Sequence, residues 1–248
     1  MGKCTVASGD TLSKIAESHK VSLDALEAAN PGVTPEKLQV GQVLNLPSEN
    51  QIPLHSNTGE IPGSQGGTNG GGNYINYSGP AANFPHPDTW AKYSVLWDTN
   101  SKLMKYHDSD EEIAMIKSAI EQVARESGCD VRAILCMIMQ ETGGNVRAGT
   151  TAVQVTNPGL MQSHNGVSFN PRDPRGSILQ MVRDGTEGTA TGDGLRQLVA
   201  KYGNYYEAFR GYNSGTVDKN QLNDGGVATP DYVRNIANRL MGHTWQNM

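Results

Sequence analysis

One stretch divides the chain before any helix or strand is assigned. Thr58-Gly59-Glu60-Ile61-Pro62-Gly63-Ser64-Gln65-Gly66-Gly67-Thr68-Asn69-Gly70-Gly71-Gly72-Asn73 offers almost no apolar surface to bury. A run of this composition reads as a flexible tether. It also concentrates the glycines, of which the chain has 29 in 248 residues. Whatever folds must therefore lie on either side. The reading is a small unit at 1–47, a Gly/Asn/Ser/Pro-rich linker at 48–85 and a larger unit at 86–248. Two units fit a length prior of about 100–200 residues per domain.

The first unit is short and punctuated. Cys4-Thr5-Val6-Ala7 is β-prone, Ser8-Gly9-Asp10 is a turn, and Thr11 is placed to cap a helix. Leu12, Ile15, Ala16 and His19 follow at helical spacing. Ser22 opens a second helical pattern with Leu23, Leu26 and Ala29 on one face, broken at Asn30-Pro31-Gly32. Residues 41–47 read as a closing strand. The expected order is β-α-α-β around a thin core.

The larger unit is dominated by helical patterns at about 89–106, 111–127, 131–142, 176–184, 193–202, 204–212 and 230–240. No alternation runs long enough for a large sheet. The expected fold class is a mostly α domain behind a small α+β one.

Charge and composition narrow the function. The net charge is -5, which argues against nucleic acid as the main partner. No apolar run reaches the roughly 18–20 residues of a membrane span. Cys4, Cys129 and Cys136 are an odd set, so this is no disulfide scaffold. The six histidines show no metal-ligand spacing, and no metal or cofactor is expected. Asn76-Tyr77-Ser78 is the only N-glycosylation sequon.

The chemistry concentrates at residues 130–144. Asp130 is an N-cap candidate, and Val131, Ile134, Leu135 and Ile138 form the apolar stripe. Three residues further along that stripe stands Glu141, in the last turn before Gly143-Gly144. Burial raises a carboxyl pKa, and an acid that keeps its proton near neutral pH suits general acid catalysis. The alternative is a plain ion pair with Arg147.

Three further motifs follow in order. They are Gly159-Leu160-Met161-Gln162-Ser163-His164, Ala208-Phe209-Arg210-Gly211-Tyr212-Asn213-Ser214-Gly215 and the Tyr232-Val233 helix. Together with Glu141-Thr142 they resemble glycoside hydrolase family 23, which holds goose-type lysozymes and soluble lytic transglycosylases. The long Gly-rich middle loop is most similar to fungal members. The resemblance implies a lysozyme-like fold with Glu141 as catalytic acid. It also implies sugar contacts from Thr142, Met161, Gln162, His164, Tyr212, Asn213 and Tyr232. The sequence departs from the family pattern in Thr142, where Ser is usual, in Phe209-Arg210-Gly211, and in Ser163-His164. A second carboxylate would have to come from Asp173, Asp184, Glu187, Asp193 or Asp218, none of which sits in a motif for a base. In lytic transglycosylases the sugar's own acetamide replaces it, so a single carboxylate is expected here. Asp173-Pro174 reads as a helix cap.

The first unit resembles the LysM module, on Thr5-Val6-Ala7-Ser8-Gly9-Asp10-Thr11-Leu12, Leu26-Glu27-Ala28-Ala29-Asn30-Pro31 and residues 40–47. LysM modules bind N-acetylglucosamine chains of chitin or peptidoglycan in a groove between two loops. Those loops would be Gly9, Asp10, Thr11 and Leu12, and Asn30, Pro31, Gly32 and Val33. The two resemblances imply a secreted, monomeric cell-wall glycosidase that cleaves β-1,4 bonds of peptidoglycan. A chitinase and a non-catalytic chitin-binding protein are the alternatives. Met1-Gly2-Lys3 leads straight into a folded-looking segment, so the chain is either intracellular or has lost a secretion leader; with the two resemblances, the secreted form is expected.

Overall fold

The computed structural model describes residues 2–7, 9–19, 26, 29–30, 33, 38–46, 61–152, 155–224, 226 and 228–245. The chain divides into two compact units, Met1–Thr58 and Gly59–Met248.

In the first unit, β1 (Gly2–Thr5) pairs antiparallel with β2 (Val43–Leu46), with Cys4 opposite Leu44. Between them runs α1 (Leu12–Ser18). The turn before α1 is held as the sequence suggested. The Asp10 carboxylate accepts from the Ala7 N–H at 2.7 Å, and the Thr11 hydroxyl caps the helix by accepting from Lys14 N–H. Val6, Leu12, Ile15, Leu26 and Leu44 form the core. Buried Asn30 ties it to the sheet: its amide donates to the Leu26 and Asn45 carbonyls and accepts from Asn45 N–H. Apart from Leu26 and Ala29, the expected second helix lies outside the described residues, as does the linker at 48–60.

The second unit is helical: α2 (Tyr93–Met104), α3 (Asp110–Ser127), α4 (Val131–Glu141), α5 (Pro174–Glu187), α6 (Leu195–Tyr202), α7 (Tyr205–Ser214) and α8 (Tyr232–Leu240). A two-rung ladder joins β3 (Thr151–Ala152) to β4 (Thr156–Asn157). Sequence fixes the helix ends. Ser109 and Glu112 make a reciprocal capping box on α3, and Gly128 closes it in the left-handed conformation. Asp173 caps α5, as expected, by accepting from Gly176 N–H. Helix α4 is the axis of the unit. Every side chain from Val131 to Met139 is buried, and the helix packs against α2, α3 and α8. It resists water on all sides because its sequence is apolar nearly all round.

The linker expectation needs correction. Residues 61–85 belong to the helical unit. Ile61 packs on the core, Phe84 is buried against Tyr206, and the Pro62 carbonyl accepts from Val131 N–H. Thr68 forms a bridge with Ala91, and Gly71 N–H donates to the Met241 carbonyl. The glycines permit close approach here. A Cβ on Gly63, at φ +75°, would stand 2.0 Å from the Asp130 carboxylate, and one on Gly67 would stand 2.6 Å from the Trp90 carbonyl. Composition reports the missing side chains; the anchors include backbone hydrogen bonds, the rings of Tyr77 and Phe84, and side chains of the helical unit such as Asn238 and Arg234 that bond the segment's backbone.

Candidate active site

Glu141 closes α4 where the Gly143-Gly144 turn, both residues at positive φ, takes the chain away. It is half-buried, and its Oε1 accepts a short hydrogen bond from the Tyr232 hydroxyl. Burial pushes the Glu141 pKa up to about 7, and the Tyr232 bond works in the opposite direction. No neighbouring carboxylate among the described residues is a cause of that rise. The ion-pair alternative is not what forms, because Arg147 pairs with Glu112 and Asp108 instead.

Tyr232 is the first residue of α8 and is 2 % exposed. Its phenol is pushed well above the ordinary range by burial and by the Glu141 charge. Tyr212, on α7, lies in the same field: burial and the charge of Glu141 both raise it. Its hydroxyl donates to the Met161 carbonyl at 2.9 Å. The Thr142 hydroxyl donates to the Leu160 carbonyl at 2.9 Å, so the acid helix and the tyrosine grip the same 160–161 segment from two sides. Glu141, Thr142, Tyr212 and Tyr232 thus meet in one place.

Of the other four expected contacts, Met161 is core, Gln162 and Asn213 have hydrogen-bond partners within the fold, and His164 is half-buried. Met161 is fully buried, with Sδ 3.8 Å from the Thr186 hydroxyl and its side chain against Gly185. It belongs to the core and cannot line an open cleft. Gln162 sits at φ +48°, a left-handed conformation rare for a side chain with a Cβ. Its amide donates to the Gly149 and Gly159 carbonyls and accepts from the Thr151 hydroxyl, which binds the β3 hairpin to the 159–162 turn. The Asn213 amide oxygen accepts from Arg210. His164 is half-buried with its side chain against Gly192.

Arg210 is the residue the sequence reading missed. It is fully buried in α7 and donates to the Thr229, Pro230 and Leu222 carbonyls, at 3.1, 3.5 and 3.4 Å. Its guanidinium lies 6.0 Å from the Tyr232 ring centre. It therefore fixes the turn that delivers Tyr232 to Glu141. The signal was an arginine within Ala208-Phe209-Arg210-Gly211, on an otherwise apolar helix face.

The other carboxylates are mostly accounted for. Asp184 is buried and accepts from Val167 N–H and the Gln180 amide. Asp193 and Asp218 are exposed, and Asp218 caps the Asn220 turn. Burial raises the Glu187 pKa, and the charge of nearby Glu126 adds to the rise. Among the described residues no three His, Cys, Asp or Glu side chains gather as a metal cage, and no helix is long and apolar enough to cross a membrane. Cys129 and Cys136 are buried free thiols, both pushed up to about 12 by burial.

The loop site of the first unit also changes. Leu12, 2 % exposed, is core, and the Asn30 amide is consumed in holding β2. Neither side chain is free to meet a ligand. Gly9, Asp10 and Thr11 remain at a tight turn, and Val33 is half-buried against the small core. Pro31 and Gly32 lie outside the described residues. Val40 and Val43, at 69 % and 56 % exposed, are the large apolar side chains this unit shows to solvent among its described residues.

Residues 4–47 match the LysM domain family. Over 43 residues, 17 % of this chain, the sequence is 56 % identical to "Intracellular hyphae protein 1" of Colletotrichum lindemuthianum. It is 51 % identical over 43 residues to "Secreted LysM effector ELP2" of Colletotrichum higginsianum. The match spans only 19 % and 24 % of the length of these two relatives. No solved structure matches the chain.

Proposed function

We propose that the chain binds N-acetylglucosamine polymers through its LysM unit and cleaves their β-1,4 bonds in its helical unit, with Glu141 as the general acid and base. The binding half is supported by the family match over residues 4–47 and by the fungal relatives, one of them titled a secreted effector. Secretion of this chain is part of the same reading. The catalytic half rests on one observation: a half-buried carboxyl at a helix end, held by a buried tyrosine and raised to about 7.

The proposed chemistry follows from that environment. Protonated Glu141 gives its proton to the glycosidic oxygen as the bond breaks. Tyr232 orients the carboxyl and stabilises the carboxylate left behind. Glu141 then takes a proton back from the attacking group. Single-carboxylate cleavage, with the substrate's acetamide as internal nucleophile, fits a site where no carboxylate among the described residues acts on the acid. Peptidoglycan and chitin both present the required N-acetylglucosamine unit.

A second reading is a polymer-binding protein without catalysis. It is favoured by the relatives, whose resemblance is confined to the LysM unit and one of which is titled an effector. Release of soluble sugars from insoluble chitin and peptidoglycan, by wild type and by Glu141→Gln, separates the two. Loss of release in the variant with polymer binding unchanged supports the enzyme. Binding with no release by the wild type supports the second reading.

A further inference from the structure

Residues 74–79 form part of the segment that packs on the helical unit, and one side chain in it takes no part in the packing. The Ile75 N–H donates to the Asn238 amide oxygen at 2.8 Å, and the Ile75 carbonyl accepts from the Asn238 amide nitrogen at 2.9 Å. Two residues on, the Tyr77 carbonyl accepts from Arg234 Nε at 3.0 Å and from the Asn223 amide. The Tyr77 N–H closes back on the Ile75 carbonyl at 2.9 Å. An i to i+2 bond of this kind makes a γ-turn, and the residue at its apex is Asn76. Both neighbours are pinned to the body of the unit, while Asn76 and Ser78 are exposed. No hydrogen bond engages the Asn76 side chain among the described residues.

Asn76-Tyr77-Ser78 has the Asn-x-Ser spacing of an oligosaccharide acceptor, with x other than proline, and occurs once in the chain. Beside it lie two apolar side chains open to solvent, Tyr74 at 44 % and Ile75 at 50 % exposed. The Tyr74 ring is held rigidly. Its hydroxyl donates to Asn235 at 2.7 Å, and the rings of His243 and Trp245 meet it edge-on. A fixed, half-exposed aromatic ring two residues before the acceptor is a platform for the apolar face of a sugar, and covering it removes apolar surface from water.

We propose that Asn76 is an N-glycosylation site and that the first N-acetylglucosamine of its glycan lies over Tyr74 and Ile75. The modification requires the lipid-diphosphate oligosaccharide donor and transferase of a secretory pathway. The Asn76 amide nitrogen loses a proton and bonds to the anomeric carbon of the sugar, and the bond from that carbon to the diphosphate oxygen breaks. The diphosphate leaves on the lipid. This inference does not depend on catalysis by Glu141.

The test expresses the full chain behind a secretion leader in a glycosylating eukaryotic host, and recovers it from both the medium and the secretory compartments. Peptides spanning residue 76 are compared before and after enzymatic glycan release in oxygen-18 water. The expected result is a mass loss on release, with residue 76 read as labelled aspartate. N76Q and S78A should show neither. Unmodified Asn76 in the recovered wild type overturns the site. Thermal unfolding then tests the platform, with wild type trimmed enzymatically to a single sugar measured against N76Q. The trimmed form should melt higher, and the gain should vanish when both are made in a Y74A background. An equal melting temperature, or a gain that survives Y74A, overturns the stacking.

Discussion

The two units of this chain carry the marks of their proposed functions in opposite ways. The LysM unit holds together on Val6, Leu12, Ile15, Leu26, Leu44 and the Asn30 bridge, and its candidate contacts are turn backbone. So few positions maintain the fold that the fold itself is a sequence signature, and relatives share it at 56 % and 51 % identity. The helical unit has a much larger core and no matching solved structure. What marks it is a physical anomaly, a carboxyl among buried groups with a tyrosine on its oxygen. The small module is legible by resemblance; in the large unit the sign is burial, and acid chemistry there is the proposed reading of it. Neither kind of sign substitutes for the other.

If that division holds, damage to one unit should leave the other working. Glu141→Gln removes the proton donor, so polymer cleavage should fall by roughly 10²–10⁴-fold. Binding to insoluble chitin by the same variant should be unchanged in a pull-down. Leu26→Ala opens a cavity in the small core, a change that costs about 2–5 kcal/mol in larger proteins. In a unit with so thin a core it should abolish the fold. Calorimetry should show the helical unit's transition unaltered, and cleavage of short soluble sugars should persist while binding to insoluble polymer is lost.

The acid makes a thermodynamic prediction as well. Its folded pKa, about 7, lies above the ordinary carboxyl value of 4.5, so the folded chain holds a proton that the unfolded chain releases. Stability should therefore fall as pH rises from about 4.5 to about 7 and then level off. Asp108, raised from 3.8 to about 6, adds to the same trend. Glu141→Gln has no such proton to hold, so it should match wild type near pH 4. At pH 8 it should exceed wild type by up to about 3 kcal/mol, at roughly 1.4 kcal/mol per pKa unit. Denaturant titrations at the two pH values test this.

The docked segment gives a smaller effect. Gly63→Ala forces a Cβ against Asp130 at a positive φ, and should cost about 1–3 kcal/mol in the helical unit alone. A free tether would show no change in the same melt. Tyr232→Phe removes the bond that lowers the Glu141 pKa. The alkaline limb of the pH–rate profile should shift upward, and the maximal rate should drop by about tenfold, in line with a charge-assisted hydrogen bond of ~1.5 kcal/mol.

Much of this was readable in advance, and the failures share a cause. Helix positions followed apolar periodicity, and caps at Asp130 and Asp173 followed side-chain chemistry. Glu141 stood out because its place on the α4 stripe is fixed by local spacing. Met161, Gln162, Leu12 and Asn30 were assigned to binding because they stand in motifs, but a motif does not say which way a side chain turns. Met161 turns into the core and Gln162 onto its own loop, and both choices depend on tertiary neighbours distant in sequence. Arg210 was missed for the same reason, since its carbonyl partners lie at 222, 229 and 230. Residues 61–85 misled by composition: glycine that permits close packing and glycine that permits freedom look alike until the partner backbone is seen.

The central claim is that a binding unit and a catalytic unit share this chain. Mass spectrometry of the soluble products from purified peptidoglycan and from chitin, with wild type and Glu141→Gln side by side, tests it most directly. The account predicts sugar fragments from wild type on at least one polymer, none from the variant, and equal retention of both proteins on the solid. Retention of wild type with no fragment released from either polymer would contradict it and leave a binding protein.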